Sequence, residues 1–85
     1  MKSMENIIKS IDRGSPLHRK AHVGDAVIAI NGNKIIDVLD YKFFAYDSRL
    51  KVLLRRPDGS EYEVAVRKSE GGDLGLEFEL SLIHI

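Results

Sequence analysis

The sequence predicts a mainly β domain with two helices, an α+β fold. It would be a small, partly open β-barrel or sandwich capped by one short and one longer helix. Three stretches carry this prediction. Ala26 to Ile30 is a continuous apolar run of strand length, set between Gly24-Asp25 and Asn31-Gly32. A run this short, bounded by turn residues, suits a buried strand and is too short for a helix. Pro57-Asp58-Gly59-Ser60 joins two β-rich stretches; proline presets φ and glycine supplies the left-handed position of a hairpin turn. Leu74 to Leu82 alternates strictly, with Leu74, Leu76, Phe78, Leu80 and Leu82 against Gly75, Glu77, Glu79 and Ser81. Period two is the signature of a half-buried strand.

The remaining elements follow in order. Asn6 to Ile11 is a strand. Asp12 to Pro16 is a turn in which Ser15 caps and Pro16 opens a short helix, Leu17 to Ala21. Asn31-Gly32 turns the chain into a return strand, Lys34 to Ile36. Asp37 then caps a longer helix, Val38 to Tyr46, with Asp40 in its acid-favouring first turn. On that helix Val38, Tyr41 and Ala45 form one apolar arc, and Leu39, Phe43 and Tyr46 a neighbouring one. Together they span about 200°, twice what a surface helix needs to cover a core. One arc should face the core and the other a strand or a ligand groove. Leu50 to Arg56 and Glu61 to Lys68 are the hairpin strands, with Tyr62, Val64 and Val66 on one face.

Composition narrows function by exclusion. The chain has 85 residues, enough for one small domain. Thirteen basic and thirteen acidic residues cancel, whereas nucleic-acid binders carry a basic excess. Lys51, Arg55, Arg56 and Arg67 are therefore read as a solvated or edge-protecting stripe, not a nucleic-acid surface. With no cysteine there is no thiol nucleophile, disulfide or thiolate metal site. His18 and His22 have the i, i+4 spacing of a zinc pair but no third ligand, and zinc sites need three or four. No nucleophile elbow or paired-acid spacing occurs, so no catalytic residue, metal ligand or cofactor is assigned here. No apolar run reaches the roughly 20 residues that span a bilayer, and no signal-peptide pattern opens the chain. The expected location is cytoplasmic.

Gly14-Ser15-Pro16, a short helix, and then Val23-Gly24-Asp25-Ala26-Val27-Ile28-Ala29-Ile30-Asn31-Gly32 resemble the PDZ signature of bacterial type. The helix after Asp37 and the Pro57-Asp58-Gly59 hairpin follow in the order that family has. The resemblance covers about residues 6–68. The loop that precedes the first strand in such domains has no counterpart ahead of Asn6, whereas Asp73-Leu74-Gly75-Leu76-Glu77-Phe78 stands at the far end. This resembles a permuted arrangement. The segment between the short helix and Gly24 is one residue shorter than the pattern, which puts His22 near a left-handed position.

The combination of Arg55-Arg56-Pro57-Asp58-Gly59 with Asp73-Leu74-Gly75-Leu76-Glu77-Phe78-Glu79 is similar to the N-terminal domain of uncharacterised clostridial iron–sulfur, radical-SAM-like proteins. That resemblance implies a docking domain whose iron–sulfur cluster, and any oxidoreductase chemistry, lie in a downstream region. Residues 1–5 are then a disordered lead, 6–80 the domain, and 81–85 the start of a linker. The apolar end Leu82-Ile83-His84-Ile85 fits a domain cut from a longer chain.

The resemblance implies binding by β-strand addition beside the 37–47 helix. The expected peptide contacts are Leu74, Gly75, Leu76 and Phe78 from the loop and strand, and Leu39, Phe43 and Tyr46 from the helix. The glycines of the 71–76 loop would let N–H groups converge on a carboxylate, against which Asp73 sets a negative charge. The plainer readings are a flexible linker for the loop and a core role for both helix arcs. The partner is a peptide, a protein segment or the rest of the same chain. A domain packed in cis on a catalytic region is the alternative. An autonomous enzyme would need a convergent polar pocket that no spacing here indicates.

Overall fold

The computed structural model describes residues 6–79. The expectations for residues 1–5 and 80–85 lie outside that range. The elements are β1 (Asn6–Ile11), β2 (Ala26–Ile30), β3 (Asn33–Lys34), α1 (Val38–Phe44), β4 (Arg49–Arg55), β5 (Glu61–Arg67) and β6 (Leu76–Phe78). They build one antiparallel sheet in the order β5-β4-β2-β1-β6, with β3 hairpinned onto β2. The sheet does not close on itself. As the permuted reading requires, the last described strand pairs with the first.

β2 lies at the centre of this sheet because its turns and its apolar content agree. Asn31 (φ 50°) and Gly32 (φ 81°) take the left-handed pair that a tight hairpin needs. Val27 and Ile30 are fully buried beside Ile8 of β1 and Val52 and Leu54 of β4. Asp37 caps α1 by accepting the Asp40 N–H at 3.0 Å, and Asp40 in turn accepts the Ile36 N–H. This reciprocal box fixes where α1 starts relative to β3.

Several boundaries differ from expectation. Leu17 to Ala21 is not a helix but a set of hydrogen-bonded turns: Ser15 Oγ accepts the Leu17 N–H, and Leu17 O accepts from Lys20 and Ala21. Five residues make too few bonds to offset helix nucleation. α1 ends at Phe44 and Ala45 is its cap, two residues short of expectation. The return strand is Asn33–Lys34, although Ile35 still donates to Ile28 O. Leu74 is buried but precedes the strand, because Gly75 at φ 77° breaks the alternation. The left-handed turn before β2 is made by Gly24 (φ 97°), not His22.

A buried polar cluster ties the β2 entrance to the hairpin. Asp25 has no exposed surface. Its Oδ2 accepts the Tyr62 hydroxyl at 2.5 Å, and its Oδ1 lies 3.1 Å from Arg56 Nε. That second contact is an ion pair by distance but lacks hydrogen-bond alignment. Burial first, and then the Asp25 carboxylate, push the Tyr62 hydroxyl above its ordinary value of 10.0.

Candidate functional site

The described members of the two arcs of α1 point to different surroundings. Tyr41 and Ala45 face the core, where the Tyr41 ring meets Phe78 edge-on with centroids 4.8 Å apart. Leu39 is 74% and Phe43 73% exposed, with Ile36 and Tyr46 extending the same stripe. Phe43 also packs edge-on against Phe44.

This orientation makes α1 a wall between two hollows. One, of about 320 Å³, lies between α1 and the β6 segment and is lined by Tyr41, Lys42, Ala45, Tyr46, the 71–74 loop and Leu76. The other, of about 750 Å³, lies on the far side and takes in Leu39, Phe43, Phe44 and Asn33. Lys42 and Tyr46 border both. Of the expected contacts, Leu74, Leu76 and Tyr46 share the first hollow, while Leu39 and Phe43 stand on the second. Leu74 and Phe78 are buried in the core, so only part of their surface faces any groove.

The backbone of β6 adds main-chain donors and acceptors to the polar side chains of the first hollow, Lys42 and Asp73 among them. Gly75 O accepts from Asp12 N, and Glu79 N donates to Ile7 O. Alternation along an antiparallel strand then turns Leu76 and Phe78 N–H and C=O away from β1, to the open edge of the sheet. An extended chain laid there would lie between β6 and α1. The Tyr41 hydroxyl is buried at this edge without an aligned partner among the described residues. Burial, then the nearby Asp73 carboxylate, raise it above its ordinary value, and the Leu76 amide opposes that shift.

Three N–H donors of the loop at the end of the hollow are already taken. Gly71 N donates to Tyr46 O, Gly72 N to Ser69 O, and Gly75 N to Asp73 Oδ1 at 3.0 Å. Each of these three donors is satisfied internally, and the third is satisfied by a carboxylate of the chain itself. Lys68 Nζ also reaches Tyr46 O, fixing the loop to the end of α1.

No family model matches the sequence, and no curated protein matches it. Solved structures do resemble it in shape. The PDZ domain of an SdrC-like protein from Listeria innocua superposes with a TM-score of 0.77 at 13% identity, covering 95% of this chain and 100% of that one. The corresponding domain from Listeria monocytogenes gives 0.74 at 13%, covering 92% and 90%. The fold is PDZ-like. In that fold the α1–β6 hollow described above is the cleft between the helix and the open sheet edge.

The residues present do not suit an iron–sulfur cluster, since the chain has no cysteine. Among the described residues no group of three histidine or acidic side chains is placed to hold a metal ion. His22 is instead an exposed ring 6.5 Å from Tyr62. No described helix is long and apolar enough to cross a membrane.

Proposed function

We propose that this domain is a non-enzymatic interaction module that binds an extended peptide or protein segment by strand addition to β6, beside α1. The observation that carries the reading is the open edge at Leu76 and Phe78, facing α1 across a hollow. Main-chain bonds to that edge would supply affinity, and Tyr41, Ala45 and Tyr46 would receive alternate side chains. Because Asp73 already occupies the Gly75 N–H, a free C-terminal carboxylate gains no bond from that donor. Segments with amidated ends should bind as well as free acids.

Titrating a diverse library of extended peptides into isotopically labelled protein tests this. Amide shifts should concentrate at 74–78 and 41–46. No shift anywhere in that set at millimolar peptide would remove the reading.

The motif resemblance of residues 55–59 and 73–79 to clostridial iron–sulfur proteins, which no comparison reproduces, is the sole support for a cytoplasmic docking role within a longer redox protein. A cysteine cluster encoded beyond Ile85 would support that context, and a stop codon there would end it. The exposed stripe of Ile36, Leu39, Phe43 and Tyr46 favours a second reading, in which this face packs on another part of the same protein.

A further inference from the structure

A third concavity, of about 480 Å³, opens at the start of β4. Four cations, Lys20, Arg49, Lys51 and Arg67, line it together with Pro16, Ala65 and the ladder pair Leu50 and Val66, and no acidic side chain borders it. The register of the β4–β5 ladder explains the concentration of charge. Arg49 stands directly opposite Arg67, and Lys51, two residues along, shares the face of Arg49. Like charges directly opposite destabilise a sheet. The other end of the same ladder is compensated, with Arg55 opposite Glu61. Among the described residues no carboxylate pairs with any of the four cations. In a chain with no net charge this is segregation of charge, not general basicity.

We propose that this cavity is a second binding site, for an acidic peptide segment that carries an apolar side chain. The carboxylates would meet Arg49, Lys51 and Arg67 on their shared face and Lys20 at its rim, and the apolar group would sit over Ala65, which stands opposite Lys51 on that face. The volume falls in the range of ligand sites and exceeds what one inorganic anion needs. Nucleic acid is disfavoured because no aromatic ring lines the cavity for base stacking. A membrane surface is disfavoured because no large apolar side chain projects from the lining, with Leu50 and Val66 turned to the core and under 10% exposed, where insertion needs projecting ones. The site does not depend on the α1–β6 reading.

The test uses an acetylated, amidated hexapeptide of alternating glutamate and leucine, titrated into labelled protein, with glutamine replacing glutamate in a control. Amide shifts should fall at 49–51, 65–67 and Lys20, weaken with salt, and vanish with the control. Arg49→Gln and Arg67→Gln should each weaken binding about fivefold or more, the worth of one exposed charge pair near contact. Arg67→Glu should abolish binding yet raise the melting temperature, since it relieves the repulsion with Arg49. Equal binding of the control, shifts confined to α1 and β6, no shift at millimolar peptide, or a lower melting temperature for Arg67→Glu would overturn the proposal. So would binding to phosphatidylserine vesicles without binding to the peptide.

Discussion

Replacing Tyr62 with phenylalanine removes one oxygen atom and keeps the ring beside His22. The atom lost is the donor to Asp25 Oδ2 at 2.5 Å. Asp25 has no exposed surface, and its other oxygen has only the misaligned Arg56 contact at 3.1 Å. The change therefore leaves a buried carboxylate oxygen without a donor. Such a loss costs about 1–3 kcal/mol, towards the upper end when the orphan is charged. A chain of 85 residues has about 4–13 kcal/mol of stability in total, so the effect is a large share. About 2 kcal/mol corresponds to a fall of about 8–16 °C in melting temperature for a domain of this size. Urea unfolding followed by circular dichroism measures it. In an Asp25→Asn background the same change should cost less, because a neutral acceptor is cheaper to leave unpaired. The pH dependence has a defined sign. Folding raises the Tyr62 value above 10.0, so its contribution is full below pH 10 and is lost as pH rises through the higher folded value. Above pH 10 the parent should lose stability faster than Tyr62→Phe. A cost under about 0.5 kcal/mol, which is within the scatter of surface changes, would refute the clamp.

Tyr41→Phe should leave stability unchanged or raise it by up to about 1 kcal/mol, because it deletes a buried hydroxyl without an aligned partner and keeps the Phe78 contact; a clear loss in urea unfolding would show that the hydroxyl is satisfied. Gly75→Ala should destabilise by about 1–3 kcal/mol, since φ is 77° and a Cβ would stand 3.0 Å from Asp12 Cβ and 3.2 Å from Ser15 Cβ; a neutral thermal melt would mean that the loop rearranges freely. The Asp58 carboxyl accepts the Ser60 N–H and hydroxyl and is held below its ordinary 3.8. Its contribution is present above that value and lost as pH falls through the lower folded one, so Asp58→Asn should flatten the acid limb of a melting-temperature profile.

What was legible in the sequence was local. The β2 strand and its turns, the Asp37 cap and the Gly59 hairpin are each set by residues within a few positions of one another. Helical spacing separated the two arcs of α1, and the structure puts Tyr41 inward and Leu39 outward. It carried no information on which hollow each arc borders, since that depends on where β6 lies. The alternation of Leu74, Leu76 and Phe78 signalled burial, but not that Phe78 would reach the core by pairing with β1 while Leu74 reaches it from the loop ahead of the strand. The cationic cavity was half visible. The basic stripe read from the sequence includes Lys51 and Arg67 and leaves out Arg49 and Lys20. The Pro57–Ser60 turn does set Arg49 opposite Arg67, so register counted back from it would have exposed the like-charge pair. Lys20 arrives from a turn region distant in sequence, and only tertiary packing brings it there.

Hydrogen exchange at Leu76 and Phe78 tests strand addition most directly. Their amides face the open edge, so without a partner they should exchange faster than the Glu77 amide, which faces β1. With saturating bound peptide, the account predicts marked slowing at Leu76 and Phe78 and little change at Glu77. Binding that leaves both edge amides exchanging at their free rates would contradict it.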